Sequence, residues 1–164
     1  MQLPRLPEVQ RISLPAGVPA GVAPPAPPEV AAMAPDEVDG AMRRAQAAFP
    51  GWRDTAVADR ARALRRAADL LEKRRPHLMA TLAREAGKTI DDGVAEIREA
   101  VDFLRYYADE AEALCVTRQL PGPAGEENVY AVRGRGVWLA IAPWNFPLAI
   151  FLGQVAAALA IPYI

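Results

Sequence analysis

From Gly136 to Ile164 the chain carries no Asp, Glu, Lys, Arg or His, and Pro143 and Pro147 stand inside that run on either side of Asn145. So long an uncharged stretch has to be covered, either by lipid or by the rest of a fold. The two prolines decide between these. Each removes a backbone donor and clashes with the preceding turn, so no single helix crosses the whole run. Only Leu148 to Ile161 remains uninterrupted before Pro162, which suits a buried core helix and is short for a membrane span.

The remaining composition narrows the class. Nineteen basic residues face 20 acidic ones, a formal net charge of -1, so the chain has no global cationic field for nucleic acid. At 52% hydrophobic residues it is too apolar to be disordered throughout. A single cysteine excludes an internal disulfide framework and a cysteine-only zinc site, and a single histidine excludes a multi-histidine metal cluster. No apolar run of signal-peptide length opens the chain. A cytoplasmic globular chain, or a piece of one, is expected, with no metal, no membrane span and no nucleic-acid partner. The arginines and lysine at 60, 62, 65, 66, 73, 74 and 75 are interleaved with Asp59, Asp69 and Glu72, as on an ordinary solvated helix face.

Three regions differ in character. Residues 1–35 hold nine of the sixteen prolines and no aromatic residue, and read as an extended, mobile leader. Residues 36 to about 118 read as amphipathic helices. The first presents Val38, Met42, Ala45 and Phe49 on one face and ends at Pro50-Gly51. The second starts near Val57, turns Leu64, Ala67 and Leu71 inward, is interrupted or kinked at Pro76 before Leu78 and Leu82 resume the pattern, and ends at Gly87. The third is capped by Thr89 and buries Val94, Ile97, Val101, Leu104 and Ala108. After the turn-rich connector 121–125, Val129–Val132 and Gly136–Ala142 read as strands, the second apolar on both faces as in a helix-flanked parallel sheet. The order points to an α/β layered domain.

The stretch Gly134-Arg135-Gly136-Val137-Trp138-Leu139-Ala140-Ile141-Ala142-Pro143-Trp144-Asn145-Phe146-Pro147 resembles the first strand and turn of the nucleotide-binding domain of aldehyde dehydrogenases. Three further stretches are similar to the glutamate-semialdehyde (1-pyrroline-5-carboxylate) dehydrogenase branch, including the dehydrogenase half of the bifunctional proline-utilisation proteins. They are Arg84-Glu85-Ala86-Gly87-Lys88-Thr89, Ala95 to Tyr107, and Leu120-Pro121-Gly122-Pro123; Phe146 to Gln154 agrees with the same branch. The resemblance spans about residues 36–160 and implies an incomplete aldehyde dehydrogenase fold. Helices come first, followed by the first strand and helix of a Rossmann-like NAD-binding domain in residues 36–164.

The chemistry the resemblance implies is oxidation of L-glutamate 5-semialdehyde, a small-molecule aldehyde, with NAD as cofactor. In the family a cysteine thiolate attacks the aldehyde carbon, hydride leaves to NAD, and a glutamate-activated water releases the acid. Asn145 matches the asparagine whose amide N–H meets the developing oxyanion, an interaction usually contributing roughly 3–4 kcal/mol per donor. Taken as structure alone, Asn145 would cap the helix that follows it. Ile141, Pro143 and Trp144 match positions on the nicotinamide side of the cofactor, and Phe146 matches an aromatic wall of the substrate tunnel. Glu99, one turn before Phe103, is the candidate to meet the substrate nitrogen, against the alternative of a solvated helix glutamate.

The family pattern is left after Ala160. The ribose-binding lysine, the glycine-rich turn, the general-base glutamate and the nucleophilic cysteine have no counterparts among residues 161–164, and Cys115 has no family motif around it. His77, beside Pro76, has no visible partner. The expectation is a truncated or frame-altered dehydrogenase, inactive alone, whose last helix lacks cover and which self-associates through its apolar C-terminus. The alternative class is a helical interaction protein that docks through that same end.

Overall fold

The computed structural model describes residues 32–161. The leader of residues 1–35 therefore lies almost wholly outside the described residues. Five helices and two short strands follow in order: α1 (Pro35–Arg53), α2 (Val57–Lys73), α3 (Arg75–Ala86), α4 (Ile90–Leu114), β1 (Arg118–Leu120), β2 (Asn128–Tyr130) and α5 (Ala149–Ala160).

Local signals explain most boundaries. Pro76 stands in the first turn of α3, where its missing N–H costs nothing, so it separates α2 from α3 at Arg74. Gly87 ends α3 in the left-handed region at φ 64°, a conformation open to glycine at no steric cost. Thr89 caps α4, its Oγ1 accepting from the Asp92 N–H at 3.2 Å. Helix α1 does not stop at Pro50 but continues to Arg53. A proline this close to a helix end sacrifices a single intrahelical bond, and the Pro50 carbonyl still accepts from Asp54 N–H at 3.1 Å.

Helix α4 is the hub, packing against α2, α3 and α5. Its buried positions, Gly93, Glu96, Ile97, Ala100, Val101, Leu104, Ala108 and Ala111, recur every three or four residues. Val94, expected inward, is exposed; Glu96 and Gly93 occupy the face instead. Ala61, Leu64 and Ala68 of α2 and Leu82 of α3 complete the apolar core, with Ala67 and Leu71 at its margin. Helix α5, expected to lack cover, is in fact covered along one face. Ala149, Gly153, Ala156, Ala157 and Ala160 bury a small-residue face, and a Cβ on Gly153 would meet the Phe103 ring at 3.0–3.3 Å. Phe151 and Leu159 remain outside. Helix α1 packs little against the other helices: Val38 and Met42 are exposed, Trp52 Nε1 donates to the Leu159 carbonyl at 3.1 Å, and Arg60 of α2 donates to the Arg53 carbonyl at 3.5 Å.

The strand expected at Gly136–Ala142 is absent. Those residues belong to no sheet, because a strand needs a neighbour to share its N–H and C=O groups and none lies beside them among the described residues. One residue finds a substitute: the Gln154 side-chain amide accepts from Ile141 N–H at 2.8 Å and donates to the Ile141 carbonyl at 3.0 Å. The sheet that forms is instead an antiparallel hairpin, β1 with β2, in register Arg118 with Tyr130 and Leu120 with Asn128 across the connector. It covers only part of the strand expected at Val129–Val132, and its partner β1 begins where the helical region was expected to end, near residue 118.

The basic cluster of α2 and α3 is largely engaged. Arg60 is buried, with its guanidinium donating to the carbonyls of Thr55 and Ala160, which ties the C-terminus of α5 to the α1–α2 turn. Arg62 pairs with Asp59, and Arg75 with Glu72. Arg65 bridges α2 to α4 through Asp109 at 2.6 Å and Glu112 at 2.5 Å. Hydrogen bonding from Arg65, ahead of its charge, holds the Glu112 carboxyl below the ordinary glutamate value. A carboxyl depressed on folding contributes stability that is full above its unfolded pKa and is lost as pH falls through the native one. Carboxyl 13C titration is therefore expected to find Glu112 titrating below the ordinary glutamate value, and Arg65→Met is expected to raise it. An unchanged Glu112 midpoint in that variant contradicts the bridge.

Candidate functional site

The turn from Trp144 to Leu148 is built by two helices it does not belong to. Lys88 is fixed between the left-handed end of α3 at Gly87 and the cap of α4 at Thr89. From there its Nζ donates to the backbone carbonyl of Asn145 at 2.5 Å and lies 4.3 Å from the centre of the Phe146 ring. Glu96, one and a half turns into α4, is fully buried. Its Oε1 accepts from Leu148 N–H at 2.8 Å and from Ala149 N–H at 3.5 Å. These are among the donors that the first turn of any helix leaves free, and a negative charge there also meets the positive end of the helix dipole. Helix α5 thus takes its cap from another helix, and its own N-cap residue, Leu148, provides no side-chain acceptor.

Lys88 Nζ is also 3.1 Å from Glu96 Oε2, an oxygen that is buried and makes no hydrogen bond. The contact is close enough for an ion pair but too oblique for a hydrogen bond, so the attraction is Coulombic. Lysine and glutamate are both withdrawn from water, 13% and 0% exposed, and each needs the other.

The candidate residues are placed as follows. The Asn145 side chain is exposed and makes no hydrogen bond among the described residues, so it does not cap α5. Phe146 is partly covered beneath Lys88. Ile141 and Trp144 are strongly exposed, at 71% and 87%, and Pro143 with them. Glu99 is half-buried on α4 and enters no ion pair or hydrogen bond among the described residues. The structure therefore joins Asn145 and Phe146 to Lys88 and Glu96, and brings Ile141 to Gln154; Glu99 stays outside that network. Cys115 is half-buried and lines a different hollow, with Arg60 and Val132. His77 is exposed on α3.

Sequence reasoning singled out Glu99 on α4 and missed Glu96, the buried carboxylate three residues before it. A signal was available, since Glu96 falls between Gly93 and Ala100 on the buried stripe. A cavity of about 770 Å³ lies elsewhere, between α1, α4, α5 and the extended segment 136–140, lined by Phe49, Trp52, Phe103 and Trp138 among others. None of the candidate site residues lines it. No helix of the described residues is long and apolar enough to cross a membrane, and no cluster of metal-ligating side chains occurs among them.

Residues 27–161 match the aldehyde dehydrogenase family, and the chain belongs to it. Bifunctional protein PutA of Escherichia coli K12 is 46% identical over 126 residues, 77% of this chain and 9% of that protein. The 1-pyrroline-5-carboxylate dehydrogenase 2 of Halalkalibacterium halodurans is 38% identical over 120 residues, covering 73% of this chain and 23% of the relative. Among solved structures, a bifunctional proline utilization A protein superposes with a TM-score of 0.80 at 51% identity, over 82% of this chain and 14% of that one. The chain thus spans about a tenth to a quarter of the length of these relatives. The fold is that of the corresponding part of an aldehyde dehydrogenase, mostly helical with one small sheet.

Removing one member of a buried ion pair leaves the other charge uncompensated, a loss usually of about 3–5 kcal/mol. Lys88→Ala is expected to lower the unfolding free energy by about that amount, and the double variant Lys88→Met/Glu96→Gln by clearly less. Urea denaturation of the two variants checks this; equal losses contradict it.

Proposed function

We propose that this chain is the part of an NAD-dependent aldehyde dehydrogenase that presents the oxyanion donor, and that the substrate is L-glutamate 5-semialdehyde, oxidised to glutamate in proline catabolism in the cytoplasm. The observation that carries the reading is the state of Asn145: its backbone is clamped by Lys88 while its side-chain amide is exposed and has no hydrogen-bond partner among the described residues. A neutral N–H donor held in place before charge develops stabilises an oxyanion without having to reorganise as it forms.

The remaining roles follow the resemblance. NAD supplies the hydride acceptor when bound. Ile141, Pro143 and Trp144 offer an exposed apolar surface adjoining Asn145, suited to the nicotinamide end. The α5 N-terminus is not open to a pyrophosphate, because the Glu96 carboxylate already fills it. Phe146 forms an aromatic wall toward the aldehyde. Glu99, half-buried with no partner among the described residues, meets the substrate nitrogen. The chain brings no nucleophile to this turn, since Cys115 lines another hollow.

Two outcomes test the reading. The purified 164-residue chain with NAD and glutamate semialdehyde is expected to form no NADH; formation above the protein-free rate contradicts the assigned division of labour. In a chimera whose proline-utilisation dehydrogenase carries residues 36–161 in place of its own matching segment, Asn145→Ala is expected to lower kcat about 100- to 1,000-fold. A second reading, an interaction protein docking through its apolar end, draws on the exposure of Trp138, Leu139, Ile141 and Trp144. It is favoured if the chimera is inactive from the outset and pull-down returns a defined complex.

A further inference from the structure

We propose that Lys88 and Glu96 are positioning residues for the Asn145 amide, holding the turn from which it projects; the inference rests on the oxyanion reading above. Among the described residues, the hydrogen bonds that reach residues 144–148 from outside the turn and α5 come from these two side chains. Each holds a different end. Lys88 grips the carbonyl of Asn145 itself, so rotation of the Asn145–Phe146 peptide plane would break that bond. Glu96 grips the N–H groups of Leu148 and Ala149, which fixes where the turn hands over to α5. The ion pair of 3.1 Å locks the two grips together, and the Phe146 ring beneath the ammonium closes the fourth side.

The parts suit the task. A lysine puts a donor and a full charge on one centre, so a single Nζ can donate to the carbonyl while its charge faces the carboxylate and the ring. Both charged heads sit on α4 or on the capped junction that opens it, the element with the most buried positions in the fold. The Asn145 side chain itself has no hydrogen-bond partner among the described residues. An amide misplaced by about 1 Å is enough to cost roughly 100-fold in rate, so the clamp matters to chemistry out of proportion to its contacts.

A double-mutant cycle with an exchange measurement tests this. In the chimera, Lys88→Met is expected to lower kcat about 100-fold with the KM for NAD nearly unchanged, and to have little further effect when Asn145 is already alanine. Equal losses in both backgrounds mean that Lys88 only supports the fold, and overturn the proposal. In the 164-residue chain, Lys88→Met and Glu96→Gln are each expected to speed amide hydrogen exchange at Leu148 and Ala149 by about tenfold or more, with Leu104 in the core unmoved. Unchanged exchange at Leu148 and Ala149 overturns the proposal as well. If Asn145→Ala leaves kcat unaltered, the oxyanion reading fails, and the exchange result alone then decides whether the pair holds the turn.

Discussion

A carboxylate buried at the start of someone else's helix organises this structure. Helix α5 begins after two prolines with leucine at its N-cap and offers no acceptor of its own for its first N–H groups. Left unpaired in an apolar setting, those donors would cost about 1–3 kcal/mol each. Glu96 supplies the acceptor from α4, and Lys88 supplies the charge that lets Glu96 remain inside. A buried pair of this kind adds little stability compared with apolar residues of the same shape. What it does fix is orientation, because α5 docks fully satisfied only where its first turn meets that carboxylate.

Close packing then completes what the polar contact sets. The buried face of α5 is made of alanines and Gly153, which brings its backbone near α4 and seats the Phe103 ring against the glycine. At the other end Arg60 donates to the Ala160 carbonyl, so both termini of α5 are held by charged side chains from other helices. The extended segment before α5 is treated differently. Its backbone is tied to α5 at Ile141 through Gln154, while Trp138 and Leu139 face water beside a large apolar cavity. An extended apolar segment with free backbone groups is half of a strand pairing, and it has no order of its own to impose.

Much of the helical part could be read along the chain. Periodic apolar residues placed α2 to α4, and Pro76, Gly87 and Thr89 marked their ends because each acts through its own backbone or through a donor three residues away. The pentapeptide around Asn145 carried the family. The inward face assigned to α1 and the strand at Gly136–Ala142 were not legible in the same way. Val38 and Met42 have the spacing of a buried stripe, yet no surface among the described residues comes to meet them. Residues 136–142 have the composition of a central strand, yet a strand exists only with its neighbour.

Local chemistry, then, determined by sequence alone where the helices start and stop, that the uncharged end could not cross a membrane as one helix, and which family the turn at Asn145 belongs to. Tertiary structure decided that Glu96 of α4 is the buried carboxylate, that Arg60 is an anchor and no part of a solvated face, and that the amide of Asn145 has no partner among the described residues. These depend on groups 50 to 100 residues apart arriving at one point. No spacing rule along the chain encodes that meeting, because burial and hydrogen-bond partners are properties of the packed whole.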